Sequence, residues 1–132
     1  MSEASPGPDL LIDGRLVPAA DGGTFDNVNP ATEEVIGVTA DGTAADMDLA
    51  ISAARWAFDE TPWSTDLGLR VRCLRQLQEA LTKNAEELRS AIVAEIGTPV
   101  ALTHGPQLDV PVEGIGWVAD LAEGYEWTSD LG

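Results

Sequence analysis

Basic residues are scarce. Seven lysines and arginines stand against 23 aspartates and glutamates, a formal net charge of −16. Such a charge repels phosphate backbones and anionic lipid surfaces within a Debye length or so, which excludes nucleic acid and membrane as expected partners. No acidic block is long enough to form a tail, so the excess reads as a solvated, solubility-promoting surface. Cysteine is rarer still: Cys73 stands alone and cannot close an intramolecular disulfide, which fits a reducing cytoplasm. The single histidine, His104, leaves no histidine pair for a metal site and no recognisable Ser-His-Asp triad, and alone in a loop it reads as solvated. No apolar run approaches the roughly 20 residues of a spanning helix, and the N-terminus lacks the basic start and apolar stretch of a signal peptide. Phosphate-cradling patterns are missing too. There is no G-x-G-x-x-G after a strand and no G-x-x-x-x-G-K-[ST], and Gly114-Ile115-Gly116 falls in a predicted helix.

What is present is globular in character. With 44% hydrophobic and 23% charged residues over 132 positions, the composition suits one domain with a sizeable core, expected to bury roughly two-thirds of the unfolded chain's surface. Residues 1–9, rich in Ser, Pro, Gly and acids, read as a flexible leader. Order is expected from Leu10, where Asp13-Gly14 between two short apolar runs favours the positive φ angles of a tight hairpin, ended by Pro18. The segments Thr24 to Asn29 and Glu34 to Ala40 read as a second antiparallel pair around a turn at Asn29-Pro30-Ala31-Thr32.

Helical periodicity begins after Asp41-Gly42. Thr43 and Asp46 offer an N-cap pair, and Met47, Ile51, Ala54 and Phe58 line one side of a helix over about 44–60, a face expected to be buried. Thr61-Pro62-Trp63-Ser64 separates it from a helix carrying Leu67, Val71, Leu74, Leu77 or Gln78, and Leu81. Asn84 with Glu87 predicts a second capping box and a break near Lys83, followed by a helix to Ile96 stopped by Gly97 and Pro99. A last helix is expected over Gln107 to Glu123 despite Pro111, Gly114 and Gly116.

The candidate reactive groups have bland readings. Cys73 lies mid-helix one step from the apolar face, with no His or Glu spaced to serve as its base, and reads as a buried or half-buried structural thiol, although flanking arginines would favour its thiolate. Glu33-Glu34, Asp59-Glu60 and Glu86-Glu87 read as lying at turns and helix starts, where water or the helix dipole accounts for them. Trp56, Phe58 and Trp63 read as packing anchors, while Trp117, Tyr125 and Trp127 lie close to the end of the chain.

Several of these words recur in a family order. Ile12-Asp13-Gly14-Arg15, then Asn29-Pro30-Ala31-Thr32 with Val35-Ile36-Gly37, then Ala53-Ala54-Arg55-Trp56-Ala57-Phe58, Trp63, Arg70 and finally Glu95-Ile96-Gly97-Thr98-Pro99 together resemble the opening of an NAD(P)-dependent aldehyde dehydrogenase. Thr98 stands where the family often has Lys, which leaves the subfamily open. The resemblance implies an α/β fold in which residues 10–132 form an N-terminal β-hairpin segment plus three or four helices, part of a cofactor domain and an incomplete Rossmann-like unit. It also implies that the helix around Val110 to Trp117 borders the substrate tunnel in a complete subunit.

The complete family enzymes oxidise an aldehyde to a carboxylic acid with NAD or NADP, using a Cys nucleophile and a Glu base. Neither residue has a matching position here, so no catalytic, cofactor-binding or metal-binding residue is assigned, no cofactor is expected for this chain alone, and the chain alone is expected to be inactive. Aldehyde is then a partner only in a complete enzyme, with the C-terminal portion or full-length subunits as protein partners. The alternative is a non-catalytic interaction module that docks on full-length subunits through uncovered helix faces.

Overall fold

The computed structural model describes residues 9–131, so the proposed leader falls outside the described residues except for Asp9. Packing divides the chain into two compact units: residues up to Thr61 together with Ala94–Ile96, and Pro62–Val93 together with the residues from Gly97 onward.

The first unit opens with β1 (Leu10–Ile12) and β2 (Arg15–Val17), paired antiparallel with Leu10 opposite Val17 and Ile12 opposite Arg15. Asp13 and Gly14 both have positive φ, 52° and 71°, the geometry a two-residue hairpin turn of matching twist demands. Next come β3 (Thr24–Val28) and β4 (Val35–Ala40), also antiparallel, with a bulge at Asn27/Val28. Their loop is organised by Asn29, whose Oδ1 accepts from the Ala31 and Thr32 amides at 2.8 and 3.2 Å. The two hairpins are separate sheets, and the described residues contain no parallel strand pair.

Helix α1 (Ala44–Glu60) begins with the expected cap. Asp46 Oδ2 accepts the Thr43 amide at 2.8 Å, and Thr43 Oγ1 accepts the Asp46 amide at 3.4 Å. The carboxylate does more than close the box, because it also accepts the Ala20 amide on both oxygens at 3.1 Å and so ties the loop after β2 to the helix start. The buried face of α1 differs from the predicted one. Asp46 is buried and Ala50, Ala53 and Ala57 are half-buried, whereas Met47 is 61% and Ile51 58% exposed, with Ala54 and Phe58 also on the open side. Small side chains let the backbone approach its cover, and the larger apolar side chains one position on are left facing out.

In the second unit a short 3-10 turn at Pro62–Ser64 leads into α2 (Leu67–Lys83), capped by Asp66, whose Oδ1 accepts the Leu69 amide at 2.8 Å. The chain breaks at Asn84 and continues as α3 (Ala85–Ile96). The break falls where predicted, but not through a capping box: Asn84 makes no side-chain cap bond to α3, and its Nδ2 instead donates to the Ala80 carbonyl at 2.8 Å. The Asn84 side chain thus finishes the helix before it, while its carbonyl accepts the Leu88 amide at 3.0 Å and starts the one after it. Gly97, at φ 70°, ends α3 in the left-handed conformation that glycine adopts without strain.

A four-residue helix, α4 (Val100–Thr103), was not foreseen, and α5 runs Asp109–Gly124, starting two residues later than predicted. Pro111 sits in its first turn, where a missing N–H costs no helical bond. Helices α2 and α5 form the main helix-to-helix contact of this unit. The ambiguity between Leu77 and Gln78 resolves to Gln78: its Nε2 donates to the Val112 and Glu113 carbonyls of α5 at 3.2 and 3.4 Å, and Leu77 is exposed.

The sizeable core that the length allows is not found among the described residues. Buried apolar side chains among the described residues are Ala19, Ala40, Val71, Leu108 and Ala119, mostly small.

Candidate functional site

Helix α5 carries the clearest division between a structural and an open face. Its structural side holds Ala119, fully buried, and Gly116, whose position faces the Gln78 amide of α2. Arg75 of α2 pairs with Asp120 and lies 3.8 Å from Glu123. On the opposite side Val110, Gly114, Trp117 and Leu121 recur at helical spacing, and the three larger side chains are 59%, 66% and 48% exposed. This apolar stripe carries no acid, base or nucleophile. It can shape a passage for an apolar molecule but not react with one.

A buried polar cluster fixes where that stripe begins. Arg89 of α3 donates from Nη1 to Thr103 Oγ1 at 2.9 Å, from Nη2 to Asp109 Oδ1 at 2.9 Å and from Nε to Glu86 Oε1 at 3.2 Å. Thr103 is fully buried and Arg89 is 7% exposed, so the guanidinium joins α3, α4 and the first residue of α5 away from water. The Asp109 bond above all, with the Glu86 bond assisting against desolvation, holds Arg89 charged and above its ordinary value. The N-terminus of α5 has no side-chain cap of its own, so this ion pair anchors it.

The first unit contains an open groove of about 740 Å³, lined by Ile12, Arg15, Val17, Leu49, Ala53 and Trp56 together with Asp13 and Asp46. Asp46 is already committed to the Ala20 and Thr43 amides, and these bonds, that from Thr43 first, hold its carboxyl below the usual range. No Ser, Thr, Cys, Lys or His lines this groove.

The residues weighed in the sequence are not brought together. Cys73 is half-buried in α2, and His104 follows α4 with its Nδ1 3.6 Å from Asp109 Oδ2. Glu33 sits in the β3–β4 loop at φ 61°. Asp59 lies in the last turn of α1, where the helix dipole disfavours a carboxylate, and Arg55 one turn back pairs with it and lowers its pKa. Trp56, Phe58 and Trp63 are not buried anchors: they are 58%, 49% and 41% exposed, and Phe58 is instead covered by the Arg55 guanidinium at 4.8 Å. Trp127 meets Tyr125 edge-to-face at 5.0 Å.

The comparisons with known proteins agree on one family. The sequence pattern of the aldehyde dehydrogenase family matches residues 16–129. The chain belongs to the aldehyde dehydrogenase family. It is 39% identical over 114 residues to a mitochondrial aldehyde dehydrogenase of Leishmania tarentolae, covering 86% of this chain and 23% of that protein. It is 40% identical over 96 residues to aldehyde dehydrogenase 1 of Tanacetum cinerariifolium, covering 72% and 19%. In three dimensions it is similar to aldehyde dehydrogenase C (AldC) of Pseudomonas syringae, solved with NAD+ and octanal, at a TM-score of 0.87 and 31% identity over 96% of this chain and 26% of that one.

The chain thus spans about a fifth to a quarter of the length of the relatives it matches, and it fits as an N-terminal portion of an aldehyde dehydrogenase. The family's cofactor does not fit the residues described: two separate antiparallel hairpins provide neither a parallel βαβ unit nor a glycine-rich strand-to-helix turn for a pyrophosphate. Among the described residues no three His, Cys, Asp or Glu side chains are grouped to hold a metal ion. No helix among them is long and apolar enough to cross a membrane.

The Arg89 cluster is what sequence reasoning missed. Arg89 reads locally as one end of an ordinary pair with Glu86 three residues earlier, and nothing local announces Thr103 or Asp109. The available signal was its position in α3 between the apolar Leu88 and the half-buried Ile92 and Val93, where a cation needs a partner from elsewhere.

Proposed function

We propose that this chain is scaffold for an NAD(P)-dependent oxidation of an aldehyde to the carboxylic acid, contributing to that reaction as part of a complete aldehyde dehydrogenase subunit and inactive alone. The observation that carries this reading is the family match over residues 16–129 against a coverage of only 19–26% of the relatives. The chemistry requires a thiolate to attack the carbonyl, a base to activate water and a nicotinamide to accept hydride. No His or Glu is spaced along the chain to serve Cys73 as base, and the described residues have no dinucleotide cradle. In this reading α5 borders the aldehyde path through Val110, Gly114, Trp117 and Leu121, and the Arg89–Asp109 pair holds that border in place. The lone Cys73 supports a reducing compartment, and we place the chain in the cytoplasm. Nicotinamide reduction measured with purified chain, NAD or NADP, and a short or medium aldehyde should equal the no-protein control. Aldehyde-dependent reduction above it would sink the inactivity.

A second reading, an interaction module that docks on full-length subunits, draws support from the open face of α1, where Met47, Ile51, Ala54 and Phe58 form a continuous apolar stripe. Co-purification of a longer aldehyde dehydrogenase at fixed stoichiometry would favour it.

A further inference from the structure

The arginines of the second unit are partnered with one exception. Arg72 lies 3.7 Å from Asp66, Arg75 pairs with Asp120, and Arg89 with Asp109. Arg70, half-buried on α2, has no ion pair among the described residues, and its Nε is sealed from solvent with no hydrogen-bond acceptor. One face of its guanidinium is covered: Cζ lies 5.5 Å from the centre of the Trp127 ring, and the Trp127 indole is itself fixed by donating to the Ala122 carbonyl at 3.2 Å.

A desolvated guanidinium donor without an acceptor is costly, and in a chain with 23 acids and seven bases the shortage is not of carboxylates. With Trp127 across its face and Nε enclosed by this chain, half-buried Arg70 has its terminal Nη1–Nη2 edge left to offer, and that edge takes a carboxylate end-on through two parallel N–H bonds. About three-quarters of the family fold lies outside this stretch, since the chain covers 26% of AldC. We propose that Arg70, backed by Trp127, is the socket for an aspartate or glutamate carried by the remaining part of the aldehyde dehydrogenase fold, and that this charge pair helps hold that part against α2.

The inference rests on the scaffold reading, and the test separates the two. This chain is joined to the remaining portion of AldC, and thermal midpoints are compared for Arg70 and Arg70→Met in the joined protein and in the isolated chain. Turnover of the joined protein tests the scaffold reading. The Arg70 comparison reads stability alone, so it stands whether or not the joined protein turns over. Removing Arg70 leaves its partner carboxylate buried and unpaired, so Arg70→Met should lower the joined protein's midpoint by about 3 °C or more, and the isolated chain's by less or not at all. An equal or larger loss in the isolated chain, or no loss in the joined protein, overturns the proposal. A loss that appears in the isolated chain only as its concentration rises would assign the socket to a second copy and overturn it too. Should the isolated chain melt without a transition, a crystal structure of the joined protein decides: a carboxylate oxygen within about 3.2 Å of an Arg70 nitrogen supports the proposal, and its absence overturns it.

Discussion

Two glycines in α5 should respond differently to the same substitution. Inside a helix, Ala is favoured over Gly by about 1 kcal/mol because it loses less backbone entropy on folding. At Gly114 an added Cβ meets nothing within 4 Å, so Gly114→Ala should gain that amount in full. At Gly116 the same Cβ would lie 2.9 Å from both Nε2 and Oε1 of Gln78. The amide is the end of a flexible side chain and can swing away, but it then gives up its bonds to the Val112 and Glu113 carbonyls. Those two bonds, at 3.2 and 3.4 Å, are together worth about 1 kcal/mol net. Gain and loss therefore cancel, and Gly116→Ala should change stability by about zero. Urea unfolding followed by helix signal gives both values. A double-mutant cycle isolates the cause: in a Gln78→Ala background, Gly116→Ala should recover about 1 kcal/mol. Equal stabilisation by the two substitutions in the wild-type background would refute the packing of Gln78 between α2 and α5.

Other predictions concern the elements that hold each unit together. Val71 is 6% exposed, and Val71→Ala removes two buried carbons and leaves a small cavity, so it should cost about 2 kcal/mol in the same assay. Gly97→Ala places a Cβ on a residue at φ 70° and should cost about 1 kcal/mol, visible as fraying of the last turn of α3 by hydrogen exchange. Because the folded-state pKa of Asp46 lies below its unfolded value, its stabilising contribution is present above the ordinary Asp range near 3.9 and is lost as pH falls through the depressed folded value. Acid unfolding of the first unit should accordingly begin below about pH 4, and Asp46→Asn should flatten that part of the stability profile while lowering its plateau.

Local chemistry was legible in the sequence wherever it acts locally. Asp13-Gly14, the Thr43/Asp46 cap and the Gly97 stop each specify their own backbone angles or near-neighbour bonds, and all three appear where predicted. Sidedness was not. The periodicity of α1 picked out Met47, Ile51, Ala54 and Phe58 because large apolar residues are expected inside, yet in this stretch Ala50, Ala53 and Ala57 make the contact and the larger side chains face out. A hydrophobic stripe reports a face to be covered but not what covers it, and the cover for this one is not among the described residues. Asn84 misled for a related reason: its side chain can bond forward or backward along the chain, and the spacing to Glu87 does not say which. The Arg89 cluster spans 20 residues from Arg89 to Asp109, beyond the reach of any local pattern. On the functional side, the family was readable from the order of short words, whereas the open stripe of α5 emerged only once Gln78 and Ala119 had defined its opposite face.

Turnover by the joined protein is the most direct test of the scaffold claim. This chain, fused ahead of the remaining portion of AldC, should reduce NAD in the presence of octanal at a rate well above that of the chain alone, and Trp117→Ala in the fusion should change KM for long aldehydes more than kcat. A fusion that folds and binds NAD yet turns over no aldehyde would contradict the account.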